Sequence, residues 1–313
     1  MDAPVDVSTT VGPLRLANPF IAASGCFGYG NEYADAGVVD LATLGAVVVK
    51  GLFLKEREGH PPPRIVETPS GMINAIGLQG IGVHRFVAEQ LPRLRERGAT
   101  VVVNVCGSTL DEYVEVSRVL SDAEGIAAIE LNISCPNIKE GGIQFGCSLS
   151  GTHEVVGAVR RATRLPLVPK LTPNVTSVAS FARAAEEAGA DAVSLVNTFL
   201  ALAIDVETRR PKLSNVLGGL SGPAIRPIAV RMVHECRQAV SLPIIGMGGI
   251  ACIEDALEFI IAGAAAVQVG TANFVDPFIW GKLRSGLEAY MRRHAVARVA
   301  DLVGTLDTSP RHA

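Results

Sequence analysis

The 313-residue sequence predicts a single-domain α/β chain folded as a (β/α)8 TIM barrel. Three observations carry that expectation. Short β-branched apolar runs recur eight times, each is followed by a polar loop and a helical pattern, and the runs are nearly all apolar rather than alternating. Strands covered by helices on both faces read this way, and eight such units fill about 250 residues, the size of one barrel.

In chain order the strands are expected at Phe20–Ala23, Ala46–Lys50, Val101–Val105, Ala127–Ile133, Leu167–Leu171, Ala192–Asn197, Pro243–Met247 and Ala265–Gly270. Helical patterns lie between them at Val83–Arg97, Asp111–Ala123, His153–Thr163, Val178–Ala188, Ile225–Val240 and Glu254–Ala262. Pro169 removes a ladder donor inside the fifth run, so that strand's edge is left open. Two stretches break the alternation, Gly51–Gly82 after the second strand and Thr198–Gly222 after the sixth. Insertions of that length commonly act as lids or binding elements. No internal repeat and no linker divides the chain, so residues 1–313 read as one domain with a core of about 12–290 and a loose polar tail at 304–313.

Composition narrows the function classes. With 48% hydrophobic and 19% charged residues, against a usual charged share of about 25%, the chain can bury enough surface to offset its ordering entropy, which excludes disorder. Its 28 basic and 31 acidic side chains give a net charge of −3, so no basic field exists to hold nucleic acid. Mean hydropathy is +0.33, but the longest uncharged run, Phe259–Val275, is 17 residues and contains Gly263, Gln268, Gly270 and Asn273. A membrane span needs about 20 apolar residues, so none is expected. The acidic start, Met1-Asp-Ala-Pro-Val-Asp, has no signal-peptide pattern. Six scattered cysteines, at 26, 106, 135, 147, 236 and 252, form no Cys-x-x-Cys pair. They fit reduced thiols in the cytoplasm, and no metal site is expected.

Function in such a barrel belongs at the C-terminal ends of the strands. The second to sixth runs end on Lys50, Asn104, Asn132, Lys170 and Asn197. A polar residue at one strand end can simply turn to solvent, but five in succession describe a polar ring around one mouth. The last two strands end in glycine, Gly246-Met-Gly-Gly249 and Gly270-Thr271. Glycine admits close approach of backbone N–H groups to a phosphate, and the loops after strands 7 and 8 are where barrels hold one. Gly246-Met-Gly-Gly-Ile-Ala251 also matches G-x-G-x-x-A, yet the following strand ends in Gln268-Val-Gly270 without an acidic ribose ligand. Five cysteines read as small core fillers. Cys135 differs, because Asn132-Ile-Ser-Cys-Pro-Asn137 follows the fourth strand directly and opens a glycine-rich stretch at the functional end. Hydrolase signatures (G-x-S-x-G, H-E-x-x-H) do not occur, and the six histidines form no ligand spacing.

Lined up, these residues resemble the dihydroorotate dehydrogenases, the FMN-dependent barrels of pyrimidine biosynthesis, and most closely the catalytic subunits of their NAD-linked branch (class 1B). The matching segments are Ala23-Ser-Gly-Cys-Phe-Gly-Tyr-Gly30, Gly71-Met-Ile-Asn-Ala-Ile-Gly-Leu-Gln79, Glu130-Leu-Asn-Ile-Ser-Cys-Pro-Asn137, Pro169-Lys-Leu-Thr-Pro173, Val196-Asn-Thr198, Gly219-Leu-Ser-Gly-Pro223, Ile245-Gly-Met-Gly-Gly249 and Val269-Gly-Thr-Ala-Asn273. The resemblance implies oxidation of dihydroorotate to orotate, with Cys135 as the base and FMN as the hydride acceptor. It places the substrate on Lys50, Asn74, Ala75, Ile76, Gly77, Leu78, Asn132, Asn197 and Thr198. It places FMN on Ser24, Lys50, Gly51, Asn104, Asn132, Lys170, Val196, Gly222, Gly248, Gly249, Gly270 and Thr271. It further implies a homodimer core joined to a second subunit that carries FAD and a [2Fe–2S] cluster, together a heterotetramer. Leading segments cover the barrel bottom in this family, and Asp2–Pro13 stands in that place.

Other readings stay open on the residues alone. They are the fumarate-dependent homodimeric branch (class 1A), a related flavin barrel acting on reduced uracil or thymine, an aldolase-type barrel with a Schiff base on Lys170 or Lys50, and a flavin-binding subunit without catalysis.

Overall fold

The computed structural model describes residues 4–133 and 145–309. Eight parallel strands close into a barrel in sequence order: β1 (Phe20–Ala22), β2 (Ala46–Leu52), β3 (Val101–Val105), β4 (Ile126–Asn132), β5 (Leu167–Lys170), β6 (Val193–Leu195), β7 (Ile244–Met247) and β8 (Ala266–Val269). Every expected strand is present, within one to two residues at each end. Helices surround them, including Leu110–Ser121, Leu149–Ala162, Val178–Glu187, Arg226–Ala239 and Ile253–Ala262. The expected 83–97 helix is one helical run with a π-turn at Phe86–Gln90. A helix that the sequence reading did not single out, Ile279–Arg293, follows β8.

The apolar runs conceal a period of two. Val47, Val49, Val101, Val103, Ile129, Leu131, Leu167, Val193 and Val267 pack outward into the cluster shared with the helices. Their neighbours Ile21, Ala46, Val48, Val102, Ala128, Val168, Ala192, Ile245 and Ala266 form a second cluster inside the barrel. Val11, Leu14 and Leu16 join that inner cluster. They come from a hairpin, Thr9–Val11 paired with Leu14–Leu16, that plugs the lower end of the barrel. Its two-residue turn needs Gly12 twice over, for φ is 56° and a Cβ would lie 2.7 Å from the Asp191 carbonyl oxygen.

Pro169 sits inside β5 after all. Leu171 N, two residues on, donates to Ser194 O, and Asp191 N donates to Leu167 O two residues back, so Pro169 faces β6. That seam is correspondingly thin, with Ser194↔Lys170 as its register pair. The two long insertions meet: Ile65–Thr68 pairs with Gly71–Asn74, Gly71–Asn74 with Leu217–Ser221, and Leu217–Ser221 with Phe199–Leu202, in one antiparallel sheet above the mouth. No helix among the described residues is long and apolar enough to cross a membrane.

Candidate active site

Two residues above an apolar inward position on six of the strands the chemistry changes. Lys50 follows Val48, Asn104 follows Val102, Glu130 follows Ala128, Lys170 follows Val168, Ser194 follows Ala192 and Gln268 follows Ala266. Side chains two apart on a strand share a face, so these polar groups form the next layer of the same interior. Glu130 is its hub and is 1% exposed. One carboxylate oxygen accepts from Asn104 Nδ2 at 2.7 Å and lies 3.5 Å from Lys170 Nζ. The other accepts from Ser194 Oγ at 3.0 Å and from Gln268 Nε2. Four other strands thus send a donor to one buried carboxylate, as a charge taken from water requires.

Above this layer opens a cavity of about 250 Å³. Its walls include Ser24, Lys170, Val196, Asn197, Thr198, Gly222, Gly248, Gly249, Gln268, Gly270 and Thr271. Eight of the twelve residues expected to hold the cofactor therefore surround one space, and two expected substrate residues join them. The glycines shape it. Gly248 and Gly249 have φ of 128° and 78°, and a Cβ on Gly249 would meet Gly222 O at 2.7 Å and Arg226 Cβ at 2.9 Å. Thr271 Oγ1 donates to Ser221 Oγ at 2.8 Å, tying the β8 end to the upper sheet. Gln268 points its amide nitrogen at the Glu130 carboxylate, which can only accept, and its Oε1 is buried without a partner among the described residues.

The remaining four expected cofactor residues stand on β2 to β4, outside that lining. Gly51 has room for no side chain, since a Cβ would lie 2.8 Å from Cys106 Sγ and 2.9 Å from Asn104 Oδ1. Asn132 Nδ2 donates to Asn104 Oδ1 at 3.3 Å. Tyr113 OH donates to Asn132 O at 2.8 Å and so fixes the end of β4. Lys50 is half-buried; burial first, and then the Arg64 guanidinium, pull its ammonium below the usual lysine range, with Glu32 opposing. Ser24 Oγ donates to Val49 O at 2.9 Å, linking the β1 end to β2.

Asn74, Ala75, Ile76, Gly77 and Leu78 run along the upper sheet and out of it. Asn74 Nδ2 reaches Gly219 O at 3.4 Å, Gly77 and Leu78 both take positive φ, and His60 Nδ1 contacts Ala75 O at 3.1 Å. Cys135 lies outside the described residues.

Sequence reasoning overlooked Glu130, Ser194 and Gln268 as members of the site. All three sit inside runs read as nearly all apolar strands, and the only available signal was a polar side chain two residues above an inward aliphatic one. Cys26 also lines the cavity, where burial pushes its thiol up and Lys170 opposes the shift.

The family model described as dihydroorotate dehydrogenase matches residues 6–291. A protein of Porphyromonas gingivalis described as dihydroorotate dehydrogenase B (NAD(+)), catalytic subunit, is 54% identical over 293 residues, 94% of this chain and 95% of its own. Relatives with the same description from Pelobacter propionicus and Bacteroides thetaiotaomicron are 52% and 50% identical, each over 302 residues, 96% of this chain and 99% of theirs.

Proposed function

This chain belongs to the dihydroorotate dehydrogenase family, and from that premise we propose that it oxidises dihydroorotate to orotate in pyrimidine (UMP) biosynthesis as the FMN-binding catalytic subunit of a cytoplasmic, NAD-linked enzyme. The observation that carries the reading is the cavity above Glu130. It offers a buried cation in Lys170, an unpartnered acceptor in Gln268 Oε1 and a glycine wall at 248–249 and 270. A flavin's pyrimidine edge presents both N–H donors and acceptors, and its phosphate suits the glycine-lined end. The residues fit the cofactor, one FMN per chain, within a single domain spanning 1–313.

When bound, FMN supplies the acceptor for the hydride leaving C6 of the substrate. Cys135, as thiolate, takes the C5 proton, a role that rests on its place in the Asn132-Ile-Ser-Cys-Pro-Asn137 motif. The side-chain amides of Asn74, Asn132 and Asn197, with Thr198, pair donor for acceptor with the ring edges of the substrate. Lys50 would supply positive charge for the substrate carboxylate and for the negative charge that the cofactor gains on reduction. Backbone at Ala75 to Leu78 closes the remaining side.

The relatives' description as NAD-linked catalytic subunits supports an electron-transfer partner carrying FAD and a [2Fe–2S] cluster, with two copies of each subunit assembled as a heterotetramer. Val275, 84% exposed, lines the cavity, and Phe274 and Phe278 are exposed beside it. Apolar surface at the rim of a redox site favours a docking partner there. Leu200, Leu202, Ile204 and Val206 form a second exposed group on the insertion after β6, suited to the homodimer contact.

Anaerobic dihydroorotate is expected to bleach the bound flavin; persistent colour at high substrate overturns the reading. Adding the flavin/iron–sulfur subunit should then confer NAD reduction, and Phe278→Asp should abolish that step while bleaching persists. Strong fumarate reduction by the chain alone moves it to the fumarate-using branch.

A further inference from the structure

Lys170 and Glu130 are both buried, at 6% and 1% exposure, yet they do not form a tight pair. Their separation is 3.5 Å, whereas the bonds from Asn104 and Ser194 to the same carboxylate are 2.7 and 3.0 Å. Three neutral donors on β3, β6 and β8 hold the carboxylate in place. The ammonium on β5 is balanced in charge but is left, among the described residues, with no shorter polar contact. A carboxylate tied only to the lysine would take up its hydrogen bonds; this arrangement leaves them for the cavity.

We infer that Glu130 is a positioning residue that cancels the charge of Lys170 beneath the flavin while fixing Gln268 with its carbonyl oxygen uncommitted, and thereby sets how readily the bound flavin is reduced. The inference rests on the reading of the cavity as a flavin site. Charge acts at range in a site of low dielectric, so the net charge below the ring matters more than any one contact. With the pair intact that net charge is zero. Without the carboxylate it is positive, and an anionic reduced ring gains from it. The Cys26 thiol is a further titratable group facing Lys170, and burial keeps it protonated.

Glu130→Gln keeps the size and removes the charge. The test is a redox titration of the holo-chain at pH 6. At a fixed ambient potential the ratio of reduced to oxidised flavin is expected to rise at least about tenfold, roughly 30 mV for a two-electron couple. Glu130→Asp, which keeps the charge, should stay within about threefold of wild type. A purely structural role would lower stability and flavin content in both variants without moving the potential, so an unmoved potential in Glu130→Gln overturns the inference. If that variant loses its flavin, the same titration is made in a Lys170→Met background. There Glu130→Gln must again raise the reduced fraction about tenfold relative to Lys170→Met alone, and no change overturns the inference. A wild-type chain that takes up no FMN would instead sink the functional reading itself.

Discussion

The two ends of the barrel interior are built from the same eight strands and behave as opposites. At the lower end, Ile21, Ala46, Val48, Val102, Ala128 and Ala266 close against Val11, Leu14 and Leu16 of the hairpin in a wholly apolar cluster. One inward step higher, Lys50, Asn104, Glu130, Lys170, Ser194 and Gln268 replace aliphatic groups with a hydrogen-bonded polar layer. The change takes two residues per strand. Packing below can be dense because it answers to no ligand, and the polar layer above can be rigid because it stands on that packing. Stability and chemistry should therefore separate along the strand axis.

The strongest way to break that separation is Leu16→Ala. Leu16 is 2% exposed inside the plug, and deleting a buried leucine side chain costs about 2–5 kcal/mol. Chemical denaturation of the apo-chain reads that loss. The rate of flavin reduction per bound flavin should stay within about twofold of wild type; a parallel fall would show that the ends are coupled.

From the other end, Cys135→Ala should leave denaturation and flavin content unchanged and slow flavin reduction by dihydroorotate about 10²-fold, some 2.7 kcal/mol of barrier. Single-turnover stopped-flow measures it. A near-wild-type rate removes Cys135 from the mechanism.

How much of this was readable in advance also divides by end. The strands were legible because their runs are apolar on both faces, and Lys50, Asn104, Asn132, Lys170 and Asn197 were legible because a polar residue ends an otherwise aliphatic run. The glycines at 248, 249 and 270, read as a wall for a phosphate, do line the cavity. Glu130, Ser194 and Gln268 were hidden within the runs, since which face a strand residue takes is decided by barrel closure and not by local pattern. The plug was expected only through family resemblance, for Thr9–Leu16 alternates too briefly to declare its place. Nor did spacing disclose that the insertions after β2 and β6 pair into one sheet, since that pairing spans about 145 residues of separation between Asn74 and Gly219.

Lys50 offers a smaller effect that sharpens the upper end. Burial and Arg64 lower its pKa, so its charge is full below that lowered value and is lost as pH rises through it. A charge-assisted hydrogen bond is worth about 1.5–3 kcal/mol, so KM for dihydroorotate should climb at least about tenfold across that alkaline range. The Cys135 limb runs the other way: a thiol acts as a base only as its thiolate, so the reduction rate should rise with pH. Together they give a bell-shaped kcat/KM. Lys50→Arg, which stays charged, should abolish the alkaline rise in KM while leaving the acid limb in place.

Thr271→Val probes the boundary between the polar layer and the sheet above it, and should move least. The valine keeps the threonine's shape and loses only the 2.8 Å bond to Ser221 Oγ. Both residues are partly exposed, so water can replace the missing partner and the cost is about 1 kcal/mol, within the usual range for a single neutral hydrogen bond. Ser221 and Gly222 line the cavity proposed for the flavin, so the dissociation constant for FMN should weaken by a comparable amount, about fivefold, in a fluorescence titration. A loss of flavin affinity of a hundredfold or more, with stability unchanged, would mean that the Thr271 hydroxyl holds the ligand directly. The polar layer would then reach one residue farther along β8 than its hydrogen bonds among protein groups indicate.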